Sequence, residues 1–396
     1  MQQTVMPMEG LTAPFDFHPR TRLVFGVNAV DRTGEIVREL GAKKVLLVTD
    51  PGIAAAGHEQ HALKSLAADG VAAVVFDKVR ENPTTRCVDD CLAVAKAAGV
   101  EAIIGLGGGS SMDTAKGCNF LLTNGGRMQD YWGIGKATKP MLPLIAIPTT
   151  AGTGSECQSS AIIADELTHQ KMACLDPKAA ARVAILDPAL TLSQPARVTA
   201  CTGIDAIAHA VETAVTKKRN PFSLMFSHEA FKLLVPSFSR VIDDPADINA
   251  RGKMLLGAAF AGIAIENSML GAAHSAANPL TAHYGIAHGQ AVGMMLPHVI
   301  RFNTANGTAK RSYAELASAP EIACVSEGVE QAVDALVEEI EALLDLAKIP
   351  RQLGDCGVQQ KDLSLLAAEA ARQWTATFNP RAVSEKDFLV LFEAAF

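Results

Sequence analysis

Residues 102–116 read AIIGLGGGSSMDTAK, an apolar run that leads into consecutive glycines and then into good helix formers. This order predicts a buried strand, a tight glycine turn and a helix N-terminus. Backbone N–H groups converge at such a turn, the helix dipole adds positive potential, and the absent side chains let a pyrophosphate approach closely. Gly107, Gly108 and Gly109 are therefore predicted to bind phosphate; a tight turn with nothing bound is the alternative.

This loop differs from the usual dinucleotide fingerprint. The pattern G-x-G-x-x-G starting at Gly105 requires glycine at position 110, where Ser110 stands. In the standard fold the acid that binds ribose follows the glycine loop by about 20 residues. Here the best candidate, Asp50 at the end of VLLVTD, precedes the loop, so a different nucleotide-binding arrangement is predicted. By itself, the Asp-Pro-Gly that begins at Asp50 is more often a turn than a ribose clamp.

Strand and helix signals alternate on both sides of the loop. Alanine-rich segments with helical spacing, such as 31–40 and 88–98, separate short apolar runs, which lie at 23–25, 45–49, 71–76, 102–106 and 144–147. Such alternation predicts an α/β domain with a parallel sheet and crossover helices. Two prolines and several polar residues break the pattern at 187–199.

From Cys201 onward almost every segment has a helical period. The clearest helix is predicted at 329–346, where apolar residues recur at steps of four and three and Pro350 follows the end. We therefore predict an α/β dinucleotide-binding domain over 1–195 and an all-α domain over 196–396.

Composition excludes several classes of protein. The 396 residues are 49% hydrophobic and 19% charged, as in a globular protein, and the net charge of -7 argues against nucleic-acid or anionic-membrane partners. The eight cysteines are scattered without a C-x-x-C pair, which favours reduced thiols and a cytoplasmic protein. The longest apolar run, 254–265, is too short and too rich in glycine to span a bilayer. A small-molecule ligand is the expected partner.

Two segments of the helical half carry candidate metal ligands. Residues 271–289, GAAHSAANPLTAHYGIAHG, contain His274, His283 and His288 among small and apolar neighbours. Upstream, in TGIDAIAHAVE, Asp205 and His209 stand four apart and would share a helix face. One carboxylate and three imidazoles leave room for a substrate oxygen on a divalent transition metal, which is typical of catalytic sites.

Spacing leaves two questions about these histidines open. Each ring could equally be a hydrogen-bonded core residue. Pro279 and Gly285 are expected to interrupt any regular helix after His274, so spacing does not choose between His283 and His288.

A further polar segment follows an apolar run at 147–156, IPTTAGTGSE. Its Thr149, Thr150 and Thr153 would lie at the carboxyl end of a strand, where α/β sheets bind ligands. Lys171 comes shortly after and could offset phosphate charge or bind ribose; taken singly it is a surface lysine.

Together, VTD, GGGSSMDTAK, PTTAGTGSE, TGIDAIAHAVE and HSAANPL followed by AHG resemble the iron-containing (group III) alcohol dehydrogenases, the family that includes lactaldehyde (1,2-propanediol) reductase. ENPT at 81–84, MLPHVIRFN at 295–303 and FNPRAVS at 378–384 extend the resemblance over nearly the whole chain. It implies a dehydroquinate synthase-like fold, a cytoplasmic homodimer, and a metal-dependent enzyme that transfers hydride between NAD(H) and a small alcohol or carbonyl compound.

The resemblance also implies roles for individual positions. Asp50 would bind the adenosine ribose and favour NAD over NADP, because its charge repels a 2′-phosphate. Lys171 would contact ribose, and Asn82 would pass near the cofactor. The pyrophosphate loop and the adenine and phosphate-side threonines would be Gly107, Gly108, Gly109 and Ser110, and Thr149, Thr150 and Thr153. The metal ligands would be Asp205, His209, His274 and His288, which decides against His283. Fe(II) is the family's usual ion, although Zn(II) binds such ligands more tightly.

One position departs from the family pattern. Where many members have a second histidine, proposed to relay a proton or contact the nicotinamide, this chain has Asn278. Asparagine holds hydrogen bonds but does not take up a proton near neutral pH. Water, the cofactor ribose or another side chain such as His283 would then carry the proton, or the substrate differs.

Three other functions compete with the dehydrogenase. A lyase similar to dehydroquinate synthase would use NAD and a metal without net cofactor turnover, but its metal shell has a glutamate and two histidines. A zinc glycerol dehydrogenase or a maleylacetate reductase lacks the full four-ligand pattern. A non-catalytic NAD-binding protein would need no intact ligand set.

Overall fold

The computed structural model describes residues 14–168 and 170–396. The strands in these residues are β1 (Arg22–Phe25), β2 (Lys44–Val48), β3 (Ala72–Phe76), β4 (Ala102–Gly107), β5 (Gly133–Ile134), β6 (Leu144–Pro148), β7 (Ser160–Ala164), β8 (Lys171–Leu175) and β9 (Val183–Leu186). The α-helices up to β9 are α1 (Thr33–Glu39), α2 (Pro51–Ala55), α3 (His58–Ala68), α4 (Thr85–Ala98) and α5 (Gly109–Asn124).

Helices make up the rest of the described chain. They are α6 (Ala196–Thr213), α7 (Pro221–Asp243), α8 (Ile248–Ser268), α9 (Ala272–Tyr284), α10 (His288–Asn303), α11 (Gly307–Ala317), α12 (Val329–Leu346), α13 (Leu363–Ala371) and α14 (Glu385–Ala395). Short 3-10 turns connect several of them. The predicted helix at 329–346 coincides with α12, whose apolar positions face the core.

Six of the described strands form a parallel sheet in the order β1-β9-β6-β4-β2-β3. Every residue of β4, β6 and β9 is buried, because helices cover both faces of the sheet and such strands read as continuous apolar runs. The predicted class, a parallel α/β sheet followed by a helical region, is confirmed. The five predicted strands appear with ends that differ by a residue or so.

Two features of the sheet region were not predicted. β9 inserts between β1 and β6, so a strand late in the sequence joins the sheet's interior. A separate sheet, in the order β5-β8-β7, pairs β7 with β8 antiparallel and carries Lys171 at the start of β8.

The strand order places the cofactor segments side by side. β4 pairs with β2 on one side and with β6 on the other, and all three run parallel. Their carboxyl ends therefore meet at one edge, where Asp50, the glycine turn and Thr149 follow the strands. In open parallel sheets, ligands bind in the crevice beyond these ends, where the chain changes its direction of winding.

α9 does not break at Pro279, contrary to the sequence expectation. The helix runs through it and ends at Tyr284, where Gly285 adopts a left-handed conformation with φ of 64°. Proline removes one backbone hydrogen bond, but buried Ala276, Ala277 and Leu280 hold this helix face against the core. Only Gly285 acts as the predicted interruption.

α8 extends beyond the apolar run at 254–265 at both ends. Its 21 residues have a mean hydropathy of 1.2 over the best window, enough by length and composition alone to cross a bilayer. However, 67% of that window is buried inside the protein, as in the core helix of a globular fold.

Candidate metal and cofactor site

Three helices bring the predicted metal ligands together. Asp205 and His209 lie one turn apart on α6, His274 lies in the first turn of α9, and His288 begins α10. Asp205 Oδ1 is 3.6 Å from His209 Nε2 and 3.5 Å from His274 Nε2. The ring centroid of His274 is 4.8 Å from that of His209 and 5.5 Å from that of His288.

The hydrogen bonding of this cluster fits a metal ion. Ligand atoms of Asp205, His209 and His274 lie within 4.8 Å of one another, with the ring of His288 beside them. Each of the four side chains has a buried polar atom without a hydrogen-bond partner, namely Asp205 Oδ1, His209 Nδ1, His274 Nε2 and His288 Nδ1. Buried polar atoms rarely lack partners, so one on each of these four neighbouring side chains indicates a ligand at the cluster. One oxygen and three imidazole nitrogens suit a divalent transition metal.

Burial sets the protonation of the cluster. It lowers the pKa of His209 to about 4 and that of His288 to about 3, so both rings are neutral near pH 7. Burial alone would raise the pKa of Asp205, but the neighbouring histidines, His209 foremost, hold it well below its usual value. Asp205 is therefore the anionic member of the group.

Glu212 orients His274, a role the sequence analysis missed. His274 Nδ1 donates to Glu212 Oε2 at 2.6 Å, and the same carboxylate accepts from the N–H groups of Gly271 and Ala273 at the start of α9. Burial lowers the pKa of His274, but the charges of Glu212 and Asp205 and the hydrogen bond to Glu212 together outweigh burial and raise the pKa to about 9. The hydrogen bond to Glu212 holds a proton on Nδ1, while Nε2 faces Asp205. A metal cation bound at Nε2 would take the place of the proton that this nitrogen carries in the charged ring. Glu212 lies seven residues after Asp205 on the same helix face, which is the signal that could have revealed it.

Glu212→Gln is expected to weaken metal binding by about 10- to 100-fold, because glutamine no longer fixes the ring of His274 through a charged hydrogen bond. Competition with a chromophoric chelator measures the affinity. Glu369→Gln is the matched control, since Glu369 pairs with a histidine at the surface, and its metal affinity should equal that of the parent protein. Equal affinities for both variants would contradict the orienting role.

One cavity joins the metal cluster to the edge of the sheet. Its volume is about 940 Å³. The predicted site residues that line it are Asp50, Asn82, Gly108, Gly109, Ser110, Thr149, Thr150, Thr153, Lys171, Asp205, His209, His274, Asn278 and His288. Residues from the α/β and helical parts of the chain thus face the same space.

Two of the three glycines in the turn, Gly107 and Gly109, have no room for a side chain. A Cβ on Gly109 would lie 2.9 Å from Thr153 Cγ2, and Gly107 has a φ of 145°, which side chains disfavour. α5 begins at Gly109, so its N-terminal N–H groups open toward the cavity. The Asn82 N–H donates to Ser110 Oγ at 3.3 Å and ties the ENPT segment to this turn.

Asp50 lies at the end of β2 and also caps α2. Its Oδ1 accepts from the N–H groups of Gly52 and Ile53, while its Oδ2 is 3.5 Å from Ser111 Oγ. The Asp-Pro-Gly segment is thus a helix start that also lines the cavity. Two other residues that line the cavity are Thr149, whose Oγ1 is buried without a partner, and Lys171, whose pKa is lowered by burial.

His283 is placed apart from these residues. It is exposed on the last turn of α9, where its Nε2 lies 2.8 Å from Glu369 Oε2 on α13. It does not line the cavity, in contrast to Asn278 on the same helix. His283 is therefore not placed to contact a ligand bound at the metal cluster.

A parallel α/β sheet, an Asp and His cluster and a cavity that joins them fit an enzyme that uses both a metal ion and a nucleotide cofactor. Residues 19–188 match the family described as iron-containing alcohol dehydrogenase, and residues 199–396 match the C-terminal part of the same family. The chain belongs to the iron-containing alcohol dehydrogenase family, and the predicted family and enzyme class are confirmed.

Relatives of known function are similar over almost their full length. The chain is 33% identical over 372 residues to NAD-dependent methanol dehydrogenase of Bacillus methanolicus, which covers 94% of this chain and 97% of that protein. It is 32% identical over 374 residues to lactaldehyde reductase of Escherichia coli (strain K12), with 94% and 97% covered. The crystal structure of a 1,3-propanediol oxidoreductase matches with a TM-score of 0.93 at 33% identity, over 97% of this chain and 100% of that one. All three are alcohol or aldehyde oxidoreductases, which favours this function over a lyase.

Proposed function

We propose that the protein transfers hydride reversibly between NAD(H) and a small alcohol or its carbonyl compound, at a metal held by Asp205, His209, His274 and His288. The observation that supports this most directly is the cluster of these four side chains, each with a buried polar atom that has no partner, which lines the same cavity as the glycine turn. The metal is proposed to be Fe(II), with Zn(II) as the competing ion.

The protein's own residues position the reactants and set the charge. A bound divalent ion would supply a Lewis acid that stabilises negative charge on the substrate oxygen. The neutral rings of His209 and His288 and the carboxylate of Asp205 would hold that ion and leave it a net positive charge. With a Lewis acid at the cluster, no strong base would be required at Asn278. With His283 outside the cavity, the proton is proposed to exchange with water.

The cofactor is proposed to lie along the carboxyl ends of β2, β4 and β6. N–H groups of the turn at Gly108, Gly109 and Ser110 would bind the pyrophosphate, with Thr149, Thr150 and Thr153 next to the turn. Asp50 would accept from the adenosine ribose through its less engaged Oδ2, and Lys171 would contact the second ribose.

Asp50→Ser is expected to raise the NADP-to-NAD ratio of kcat/KM at least about tenfold, because a like-charge contact with the 2′-phosphate is removed. Serine still caps α2, so the fold should persist. The control is Asp247→Ser, which changes the aspartate cap of α8 away from the cavity. A ratio that stays unchanged in Asp50→Ser would remove Asp50 from coenzyme selection.

The chain is further proposed to form two domains, 1–195 and 196–396, and to act as a cytoplasmic homodimer. The last strand in sequence, β9, ends at Leu186, and the continuous helical region starts at Ala196. All eight cysteines are free, as expected for a reducing compartment. Limited proteolysis and light scattering of the purified protein test the boundary and the oligomer.

The function is tested by following NADH absorbance with short aldehydes before and after chelation, with metal analysis of the same sample. We expect turnover that is lost with the metal and returns when Fe(II) or Zn(II) is added. Product formation without net NADH consumption would indicate a lyase. Undiminished turnover after complete metal removal would refute the proposed site.

A further inference from the structure

We propose that Asn278 and Gln373 form an amide pair that binds a second, uncharged oxygen of the substrate. The enzyme would then prefer a small diol or hydroxyaldehyde over the matching simple alcohol or aldehyde. This inference rests on the proposed function and adds a substrate class and two specificity residues to it.

The amide pair lies beside the metal cluster. Asn278 follows His274 by four residues on α9, so the two side chains share a helix face at about 5–6 Å between Cβ atoms. Both Asn278 and Gln373 line the cavity. A substrate with one oxygen at the cluster could therefore present a second oxygen, two or three bonds along its carbon chain, to this pair.

The hydrogen bonding of the pair is incomplete within the protein. Asn278 Nδ2 donates to Gln373 Oε1 at 3.0 Å. An amide has two donors and an acceptor with two lone pairs, so one N–H and the Oδ1 of Asn278 and both Nε2 hydrogens of Gln373 stay available. These neutral groups offer donors and an acceptor together, which suits a hydroxyl group. They carry no charge to attract a carboxylate, a sulfonate or an ammonium group.

A buried contact between neighbouring residues fixes the position of the pair. Ser275 Oγ on α9 lies 2.7 Å from Thr375 Oγ1, two residues after Gln373, and both of these side chains are buried. This contact already ties α9 to the segment after α13. Asn278 and Gln373 are only partly buried and face the cavity, so the tie does not need them. A polar pair fixed by a buried neighbouring contact is preorganised to bind a ligand.

Apolar side chains line the cavity together with the pair. Met269, Leu270 and Trp374 line the same cavity. These side chains accommodate the carbon chain of a substrate. Apart from the indole N–H of Trp374, they have no group that could hydrogen-bond to a second hydroxyl. Discrimination at this end of the cavity therefore depends on the amides.

The test compares kcat/KM for 1,2-propanediol, 1,3-propanediol and 1-propanol with NAD, using the metal-loaded enzyme. We expect at least one diol to exceed 1-propanol about tenfold, the effect of one neutral hydrogen bond. Asn278→Leu and Gln373→Met should each bring the ratio close to one, mainly through a higher KM for the diol. Gln359→Leu, a change of an exposed glutamine outside the cavity, should keep the parent ratio.

The outcomes separate the inference from the function on which it rests. Equal use of diols and 1-propanol by the parent enzyme would overturn the inference and leave the dehydrogenase intact. A diol preference that persists in Gln373→Met would also overturn the inference. Because Gln373 lies on a partly exposed segment, this variant tests the inference even if Asn278→Leu does not fold. No turnover of any alcohol would overturn the proposed function itself.

Discussion

Asp205→Ala is expected to lose the bound metal and to lower kcat/KM by about 1000-fold or more. Asp205 is the one carboxylate among three imidazoles, and two of these rings are neutral because burial lowers their pKa. Without its negative charge, the cluster would hold a divalent cation in a buried site with neutral ligands alone. A metal acting as Lewis acid contributes several kcal/mol to transition-state stabilisation, and about 4 kcal/mol corresponds to a factor of 1000.

Elemental analysis of the purified variant and NADH turnover with short aldehydes measure these two losses together. Asp243→Ala is the control, since it removes an exposed carboxylate from the end of α7 and leaves the cavity unchanged. Full metal occupancy with parental turnover in Asp205→Ala would show that the cluster is not the catalytic centre.

Gly289→Ala is expected to destabilise the helical region and to disturb the metal cluster. A Cβ on Gly289 would lie 2.0 Å from the carbonyl oxygen of Cys201 and 3.0 Å from the Cβ of Asp205. The backbone of α6 cannot give way as a flexible side chain would, so α6 and α10 must separate. Asp205 on α6 and His288 on α10 would then move apart. Overpacking of this kind costs about 3 kcal/mol or more.

Thermal unfolding with and without metal, together with metal affinity, measures both effects. The control is Gly307→Ala in the first turn of α11, where a Cβ meets nothing within 4 Å and φ is not positive. This variant should unfold at or slightly above the parental temperature, because alanine favours the helix. A Gly289→Ala protein with parental stability and metal content would show that the close helix approach is dispensable.

Most of the sheet could be predicted because its strands are local apolar runs of the right length. β9 was missed although 183–186 reads VAIL, since its place between β1 and β6 depends on pairing with strands distant in sequence. The β5-β8-β7 sheet was missed for a similar reason. Its strands are short, and β5 has only two residues.

Part of the metal cluster could be predicted from the sequence. Asp205 and His209 share a helix face by spacing, but the choice of His288 over His283 came only from the family resemblance. The structure separates the two histidines, since His283 pairs with Glu369 at the surface and His288 begins the helix that packs on α6. The prediction that Pro279 interrupts the helix was wrong, because buried packing around it outweighs one lost hydrogen bond.

The sequence by itself determined the elements whose signals are local: the glycine turn after β4, the spacing of Asp205 and His209, and the family. Only the tertiary structure decided what depends on distant contacts, such as the hydrogen bond of Glu212 to His274 and the pairing of Asn278 with Gln373. The physical reason is that helix and strand periods act over a few residues. The partner of a buried polar group, by contrast, is chosen by the packing of whole helices, which a local pattern does not encode.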